Sequence, residues 1–504
     1  MNYPIWQLGF PGGLLIATVA VLHVFVSHFA VGGGAYLVLT ERKAYRNNDR
    51  ELLNYARAHA KFFALLTLVF GAVTGVGIWF SIGLVSPDAT STLIHTFVWG
   101  WAMEWVFFFV EITAALVYAY QWDRLDRASH QAVGWIYFVA AWASLAIING
   151  IVTFMLTPGR WLETRNFWDG FFNPTYFPSL AIRTAMAVAL AGMFGLVSTL
   201  QLRGGIRERV ARWSGAWVVV GIVFLPLFGL WYYRAFPGFA RRYLAGGISA
   251  AGTAVNLAIA AAALALVVTA LAALWKPRAL NGAVVALVLL SGLATLGSGE
   301  YLRELVRKPW VIGGYLYANG IRADALKQIS ATGVSADSRW LAAKPAADSL
   351  AYGREIFVLE CSACHSVGGY RALRARVRGW DEHFAYQALP HLQLMRGTMP
   401  PFAGNETDRA ALAKYLASLN PATVSISPAN QVAAGREVFE IHCAACHTVR
   451  GAFRPLNLAA MKAGAIDRLL KILPALNPNM PPFTGSEAER RALARFLETG
   501  QPTS

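Results

Sequence analysis

The chain has 504 residues, of which 56% are hydrophobic and only 14% are charged, and its formal net charge is +16. Because soluble globular proteins carry about 25% charged residues, this composition argues against a soluble enzyme and indicates a membrane protein with a polar region attached. Much of the basic charge lies in short loops between apolar segments, where it sets membrane orientation, so no nucleic-acid partner is expected.

Eight apolar segments precede the polar region, and each can cross a bilayer as a helix of about 20 residues. They lie at roughly 13–39, 61–84, 94–120, 132–156, 178–201, 213–233, 248–274 and 281–301. Alternate loops (40–60, 121–131, 202–212 and 275–280) carry thirteen Arg and Lys residues, whereas the opposite loops carry five. The positive-inside rule therefore predicts a multi-pass protein of a bacterial cytoplasmic (inner) membrane, with its N-terminus and C-terminal region on the periplasmic side.

Ionisable residues inside these segments are costly to bury in lipid and usually serve a function. They are His23 and His28 in the first segment, His95, Glu104 and Glu111 in the third, and Glu300, Glu304 and Arg307 at the outer end of the eighth. Glu104 and Glu111 lie about two turns apart on roughly one helix face, which suits proton delivery or iron ligation. A structural carboxylate paired with an arginine is the alternative. His59 and His130, near the cytoplasmic ends, suit a solvated role as well as a ligand role.

All four cysteines belong to two C-x-x-C-H motifs, the attachment signature of c-type haem. In each motif both cysteines form thioether bonds to the porphyrin and the histidine is an axial ligand of the iron. The residues concerned are Cys361, Cys364 and His365 in the first motif and Cys443, Cys446 and His447 in the second. This attachment takes place outside the cytoplasmic membrane, in agreement with the orientation that the loop charges predict.

The two motifs belong to an internal duplication, in which each copy has an opening helix, the C-x-x-C-H turn, an M-P-P-F loop and an amphipathic closing helix. Met399 and Met480 occupy the same place in the two loops and are the predicted sixth ligands, since His/Met ligation is common in cytochromes c. Packing methionines are the alternative, and Met395 is the other candidate in the first copy. We predict an all-α protein whose domains are a membrane helix bundle at 1–315, a linker at 316–347, and cytochrome c domains at 348–420 and 430–500.

The membrane region resembles subunit I of the cytochrome bd-type oxidases over about residues 10–315. The similarity rests on the order of several short motifs, none of which is decisive alone. They are Leu22-His-Val-Phe-Val, Phe70-Gly-Ala-Val-Thr-Gly, Ala102-Met-Glu104 with Phe108-Phe-Val-Glu111, Trp122-Asp-Arg-Leu, Ile148-Asn-Gly-Ile with Thr157-Pro-Gly, and Glu304-Leu-Val-Arg307-Lys-Pro-Trp310-Val-Ile.

The resemblance implies that His23 and Glu104 bind the haem at which dioxygen reacts, and that Glu304 ligates a second high-spin haem. It also implies that Arg307 contacts haem propionates and that Glu111 transfers protons. The two glutamates are seven residues apart here and eight apart in the family.

Three departures from the family pattern concern the low-spin haem and the quinol site. Arg183 stands where the family has a histidine ligand, and arginine, which stays protonated, is a poor ligand for iron. The following helix, 213–233, lacks the family's methionine, and only residues 234–247 stand where the family has its long quinol-binding loop. His28 or His95 could ligate a replacement haem.

Together, the two haem c motifs and the resemblance of the membrane region predict a terminal oxidase. It would take electrons through two covalent c haems and reduce dioxygen to water at membrane haems. Two or three non-covalent haems, b-type or d-type, are expected in the membrane. Expected partners are lipid, dioxygen, a second membrane subunit resembling cytochrome bd subunit II, and a periplasmic cytochrome c or a quinol-oxidising complex as donor. The alternative is a subunit that only relays electrons between a quinol-oxidising partner and cytochrome c.

Overall fold

A computed structural model describes residues 5–242, 244, 249–337, 346, 349–370, 372–395, 398–449, 456, 458 and 461–499. Part of the predicted linker, residues 338–345 and 347, lies outside them. Two compact units share the chain. The membrane unit comprises residues 16–82 and 90–307, and the C-terminal unit comprises residues 1–15, 83–89 and 308–504. The boundaries of the predicted domains remain predictions.

Among the described residues, eight helices are long and apolar enough to cross a membrane, which confirms the predicted multi-pass organisation. They span Gly12–Arg46, Arg50–Val85, Val98–Tyr120, Arg127–Phe154, Tyr176–Thr199, Gly204–Arg234, Ala250–Trp275 and Gly282–Arg307. Several of these spans are interrupted by irregular turns, so each helical segment has its own label. The segments and turns are α1 Gly12–Arg46, α2 Arg50–Leu65, a π-helical turn Leu66–Gly71, α3 Ala72–Val85, α4 Pro87–Thr96, α5 Val98–Tyr120, α6 Arg127–Phe154, α7 Trp161–Thr164, α8 Phe167–Phe171, α9 Tyr176–Thr199, α10 Gly204–Val223, α11 Leu225–Arg234, α12 Gly238–Arg242, α13 Ser249–Thr269, a second π-helical turn Ala270–Trp275, a 3-10 turn Pro277–Ala279 and α14 Gly282–Arg307.

The third span begins later than the sequence predicts. Phe97 has φ −122° and ψ 33°, which interrupts the helix and separates α4 from α5. His95 therefore lies in the short helix before the span and not within the span itself. In the loop between α5 and α6, the side chain of Asp126 caps the N-terminus of α6 by accepting hydrogen bonds from the backbone N–H groups of Ala128 and Ser129.

Close approach of small residues packs the membrane helices, as is usual where lipid provides no hydrophobic drive between helices. A Cβ atom on Gly32 of α1 would lie 1.9 Å from the carbonyl oxygen of Ala187 on α9. On the other face of α9, a Cβ atom on Gly192 would lie 2.4 Å from the carbonyl oxygen of Ser214 on α10. These glycines let backbones meet where any side chain would hold them apart.

The C-terminal unit opens with a two-stranded hairpin and is otherwise helical. Its elements are β1 Trp310–Ile312, β2 Leu316–Tyr317, α15 Leu326–Thr332, α16 Val334–Asp337, α17 Leu350–Glu360, α18 Leu373–Arg376, α19 Glu382–Ala388, a 3-10 turn Leu389–Leu394, α20 Glu406–Leu419, α21 Gln431–His442, α22 Ala463–Leu470, α23 Leu473–Leu476 and α24 Glu487–Thr499. Among the described residues, the sheet structure is limited to this two-stranded hairpin, so the predicted all-α class is confirmed.

The predicted duplication has a structural counterpart in two matching helix crossings. In the first copy, a Cβ atom on Gly353 of α17 would lie 2.1 Å from the carbonyl oxygen of Ala411 on α20. In the second, a Cβ atom on Gly435 of α21 would lie 2.0 Å from the carbonyl oxygen of Ala492 on α24. Each opening helix thus crosses its closing helix at a glycine, in backbone contact, and holds the C-x-x-C-H turn at its C-terminal end.

Candidate haem-binding and proton-transfer sites

The first C-x-x-C-H motif forms a tight turn directly after α17. The backbone N–H of Cys361 donates to the Phe357 carbonyl at 2.8 Å, and that of His365 donates to the Cys361 carbonyl at 2.9 Å. The second motif repeats this geometry, with 2.9 Å from Cys443 to Phe439 and 2.9 Å from His447 to Cys443. None of the four cysteines is in a disulfide bond. Two thiols and an imidazole in one turn are the donor set that covalent attachment of haem c requires.

Burial governs the chemistry of the first cysteine in each motif. It raises the pKa of the Cys361 thiol well above its usual value and raises the pKa of Cys443 to about 12. Both groups are therefore neutral thiols in the polypeptide. Neutral buried thiols react little by disulfide exchange, because the thiolate is the nucleophile.

The two methionine candidates of the first copy occupy different environments. Met395 is only 5% exposed and belongs to the hydrophobic core of that copy, whereas Met399 is partly buried and packs against the edge of the same core. Met395 thus has a packing role, which leaves Met399 as the better-placed sulfur. In the second copy, Met480 closes a turn by donating its backbone N–H to the Asn477 carbonyl at 2.9 Å. Both iron ligands remain predictions.

Glu360 is a residue that the sequence reasoning missed. It immediately precedes Cys361, is 8% exposed, and its Oε2 accepts from the backbone N–H of Ala403 at 3.1 Å. Burial raises the pKa of this carboxyl group well above its usual range. The contact ties the haem-attachment turn to the loop that carries Met399. A glutamate between the apolar run Ile356–Leu359 and the first cysteine of the motif was the available signal.

The two copies contact each other through the residues that flank the second motif. Trp380 Nε1 donates to the Ile441 carbonyl at 3.1 Å, and the ring centroids of Phe384 and His442 are 4.8 Å apart. An ion pair of 2.5 Å joins Arg378 to Glu437 at the periphery. The second attachment turn is therefore docked on the first copy.

The first attachment turn contacts other segments of the C-terminal unit. The backbone N–H of Gly13 lies 3.4 Å from the Ala363 carbonyl oxygen, and Lys308 Nζ lies 3.7 Å from Cys364 Sγ. Gly13 belongs to the first turn of α1, and Lys308 is the residue that follows α14. The first attachment turn thus contacts the residues at the start of α1 and directly after α14.

In the membrane unit, the hydrogen bonds of His23 fix its tautomer. Thr74 Oγ1 donates to the Phe70 carbonyl at 2.7 Å, so it accepts from Nδ1–H of His23, which lies 3.1 Å away. Nε2 then keeps its lone pair, which is the form that ligates iron. A Cβ atom on Gly75 would lie 3.2 Å from the His23 ring, so glycine makes room for that ring. His23 thus fits the role of a haem ligand.

His28 and His95 present the same tautomer in different surroundings. Nδ1 of His28 donates to the Val24 carbonyl at 2.8 Å, and the residue is 2% exposed. Nδ1 of His95 donates to the Ser91 carbonyl at 2.7 Å, but this residue is exposed in α4. Tautomer alone does not separate the two candidates, whereas burial favours His28.

Three polar contacts at seven-residue intervals run between the antiparallel helices α5 and α6. Ser144 Oγ donates to Glu104 Oε1 at 3.0 Å, the Tyr137 hydroxyl lies 3.2 Å from Glu111 Oε1, and His130 Nε2 donates to the Tyr118 carbonyl at 3.0 Å. The residues involved on α5 are 104, 111 and 118, and those on α6 are 130, 137 and 144. Because a seven-residue step nearly completes two turns, each set shares one helix face. The sequence reasoning found the two glutamates and missed their partners.

A buried ion cluster lies near the C-terminal end of α14. Arg183 of α9 binds Glu300 at 2.8 Å, Arg303 binds the other oxygen of Glu300 at 2.9 Å, and Glu304 pairs with Arg307. Arg183 is thus engaged in an ion pair. Nε of Arg183 and Nη1 of Arg303 are buried donors without a hydrogen-bond acceptor among the described residues. Such orphaned guanidinium donors fit carboxylate groups such as haem propionates. Arg303 was not among the predicted site residues.

Comparisons with known proteins agree with both halves of the sequence analysis. Residues 14–231 match the family model of cytochrome bd terminal oxidase subunit I. Residues 348–416 and 430–497 match that of cytochrome c oxidase, cbb3-type, subunit III. Among solved structures, bd oxidase from Geobacillus thermodenitrificans matches with a TM-score of 0.53 at 18% identity, covering 61% of this chain and 89% of that chain. No curated protein matches the sequence significantly.

Proposed function

We propose that this chain is a terminal oxidase fed by its own c haems, because its membrane region matches the cytochrome bd subunit I family and its C-terminal region matches the cbb3-type subunit III cytochrome c family. Two covalent c haems, held by the C-x-x-C-H turns, would supply the entrance for electrons from a periplasmic cytochrome c or a quinol-oxidising complex. Haems held by the membrane unit would supply the centre at which dioxygen is reduced to water. The family membership supports a membrane respiratory oxidoreductase, and the direction of electron flow and the acceptor are our proposal.

The observation that carries the proposal is the contact of the first attachment turn with Gly13 and Lys308. Lys308 directly follows Arg307 in the chain, so a residue in contact with the first haem c motif is the sequence neighbour of a propionate-binding candidate. The second motif instead docks on the first copy. This supports an order of electron flow from the donor to the second c haem, then to the first, and then to the membrane haems.

In the membrane unit we assign His23 and Glu104 to the haem at which dioxygen binds, and Glu304 with Arg307 to a second high-spin haem. Haem iron, when bound, supplies the electron transfer and the oxygen-binding centre. The chain's own residues would orient the haem, because Thr74 holds its proposed ligand His23 in the ligating tautomer. Glu111 transfers protons, and His28 is the candidate ligand of a further haem. The haems are b-type or d-type.

The replacement of the quinol apparatus supports the same direction of flow. Arg183 is engaged by Glu300 at the place of the family's low-spin ligand, and residues 235–248 form the whole connection between α11 and α13. We therefore propose that the c haems replace a quinol site as the electron entrance. A second membrane subunit resembling cytochrome bd subunit II is the expected structural partner, and both termini of the membrane region are placed on the periplasmic side.

The test is oxygen uptake by the purified protein with reduced cytochrome c, together with spectra of the reduced protein with and without carbon monoxide. We expect cytochrome-c-dependent uptake and a carbon-monoxide-sensitive high-spin haem. The His365→Ala variant, which removes the axial histidine of the first c haem, should abolish uptake and leave carbon monoxide binding by the membrane haem intact. Six-coordinate haems alone, with no uptake, would instead identify an electron relay.

A further inference from the structure

The two cytochrome c copies meet head to tail, through different faces of the same fold. The first copy contributes Trp380 and Phe384, which lie at or just before the start of α19, the helix that precedes its methionine loop. The second copy contributes Ile441 and His442 at the end of its opening helix, and Cys446 of its attachment turn packs against the core of the first copy. A contact between unlike faces leaves one face of each kind unused at the two ends of the pair.

One of these two faces already contacts other parts of the C-terminal unit, because the attachment turn of the first copy lies against Gly13 and Lys308. The face that remains is the part of the second copy that precedes its methionine loop, residues 461–476, which we call the α22–α23 segment. This segment is accessible. The Lys462 side chain is 90% exposed, and nothing lies within 4 Å of a Cβ atom placed on Gly464.

The α22–α23 segment corresponds residue by residue to residues 380–395 of the first copy. Three pairs of residues share an offset of 81 positions: the N-caps of α19 and α22, the predicted methionine ligands, and a buried leucine of each copy. The pairs are Asp381 and Lys462, Met399 and Met480, and Leu389 and Leu470. Because the positions match, differences between the two segments indicate different uses of one fold.

The first difference between the matching segments is charge. The α22–α23 segment has three basic residues and one acidic residue, a formal net charge of +2, whereas residues 380–395 have two acidic residues and no Lys or Arg, a net charge of −2. The charged residues are Lys462, Arg468, Lys471 and Asp467 in the second copy and Asp381 and Glu382 in the first. The ion pairs of Lys462 and Lys471, at 3.8 Å and 3.6 Å, are long. Such surface pairs are worth little, so both lysines can turn to the carboxylates of a partner.

The second difference is exposed apolar surface. Leu476 is 49% exposed, whereas Met395, at the matching position of the first copy, is 5% exposed. Ile472 is 48% exposed, and its carbonyl accepts from the backbone N–H of Leu476 at 3.2 Å, so the two side chains lie one turn apart on the same side. Both precede Met480 by at most eight positions. Apolar side chains accompanied by charged ones are the usual composition of a protein interface.

We propose that the α22–α23 segment is the docking surface for the external electron donor, a soluble c-type cytochrome that is acidic around its own attachment turn. This rests on the proposed function, in which the second copy receives the electrons. The donor's turn lies on the second copy as the second copy's turn lies on the first, and its acidic charge complements the +2 of the segment. Another copy of this chain does not fit, because both of its attachment turns are already in contact with its own residues. One electron leaves the donor and the second copy gains it, and no bond forms or breaks.

The experiment mixes the oxidised full-length holoprotein with a reduced acidic cytochrome c or a reduced basic cytochrome c, in a stopped-flow spectrometer without dioxygen. The second-order rate constant for reduction of the c haems is measured at ionic strengths of about 0.01 and 0.15 M. We expect the acidic donor to react faster than the basic donor and to become slower as salt is added. The double variant Lys462→Glu, Lys471→Glu changes the charge of the segment from +2 to −2. Because electrostatic steering raises association rates by about 10–10³-fold, this variant should slow the acidic donor at least about tenfold.

The double variant Arg374→Glu, Arg376→Glu is the matched control. Both arginines are exposed on α18 of the first copy, so the variant makes the same change of charge on the other copy. At about 0.15 M ionic strength, where charges more than about 8 Å apart are screened, it should leave the rate of the acidic donor unchanged. Leu476→Ser tests the apolar contact and should raise the KM for the donor without altering the absorption spectrum or reduction potential of the second c haem. A change in either property would show that Leu476 contacts the haem and would contradict its docking role.

Reduction of the c haems does not require dioxygen, so the docking surface and the oxidase activity can fail separately. If the acidic donor reduces the c haems with the expected dependence on Lys462 and Lys471 but no oxygen is consumed, the proposed oxidase is wrong and the docking surface stands. If the charge-reversed segment reacts at the wild-type rate, or if the control variant is slowed equally, the docking surface is wrong. It is also wrong if neither cytochrome c reduces the c haems and only a quinol-oxidising membrane complex does so.

Discussion

The glycine crossing in each cytochrome c copy can be tested by adding a single methyl group. In Gly353→Ala the new Cβ atom would lie 2.1 Å from the Ala411 carbonyl oxygen, whereas ordinary contacts begin at 3.4 Å. The obstacle is backbone, so α17 and α20 must move apart by more than 1 Å. Overpacking of this kind costs about 1–3 kcal/mol. Alanine regains about 1 kcal/mol of helix propensity, so the net destabilisation should be up to about 2 kcal/mol.

The assay is guanidinium unfolding of the oxidised holoprotein, followed by the charge-transfer band of methionine-ligated haem. Since only one of two c haems is affected, about half of this band should disappear at a lower denaturant concentration than in the wild type. Gly435→Ala should affect the other half, because its Cβ atom would lie 2.0 Å from the Ala492 carbonyl oxygen. Gly464→Ala in α22 is the control, since nothing lies within 4 Å of its Cβ position. Equal unfolding midpoints for all three variants would refute the reasoning.

Three further predictions concern single side chains. Glu300→Gln leaves the two arginines that Glu300 bridges without a buried counter-charge, and should cost about 3–5 kcal/mol, measured as earlier thermal loss of membrane haem; unchanged haem retention would contradict the role of the cluster. Met399→Ala should lower the reduction potential of one c haem and let it bind carbon monoxide, whereas Met395→Ala should cost about 2–5 kcal/mol of stability without changing ligation. Burial raises the folded-state pKa of Glu360 above its unfolded value, so its favourable contribution to stability is complete below the unfolded pKa and is lost as the pH rises towards the folded value. Glu360→Gln should therefore flatten the decline of the free energy of unfolding with rising pH. An unaltered slope of that free energy against pH would refute the prediction.

Patterns that repeat along the chain could be predicted from the sequence. Eight apolar segments gave eight spans, because span length depends only on local composition. The haem c duplication was predictable for a similar reason, since each copy carries its motif, its methionine loop and its closing helix within one short stretch. The matching glycines at the two crossings were also visible in the repeated Gly-Arg-Glu sequence, but their contact with the closing helix was not.

Pairings between distant residues could not be predicted in the same way. Arg183 and Glu300 are 117 positions apart, and their ion pair depends on how α9 and α14 meet. The seven-residue spacing of the α5 and α6 residues is present in the sequence, yet Ser144, Tyr137 and His130 are ordinary on their own. Their significance follows only from the antiparallel register of the two helices. His95 was assigned to a span because nothing in its composition marks the break at Phe97.

The presence of both haem-binding regions on one polypeptide, with 53 residues between Arg307 and Cys361, has a kinetic consequence for the proposed oxidase. A donor that is tethered to its acceptor acts at an effective concentration that the tether sets, whatever the protein concentration. Electron delivery from the c haems to the membrane is then a first-order process that neither dilution nor salt can slow. Only the encounter of the external donor with the second copy remains bimolecular, so ionic strength and donor concentration should control the turnover of the proposed oxidase at that step alone.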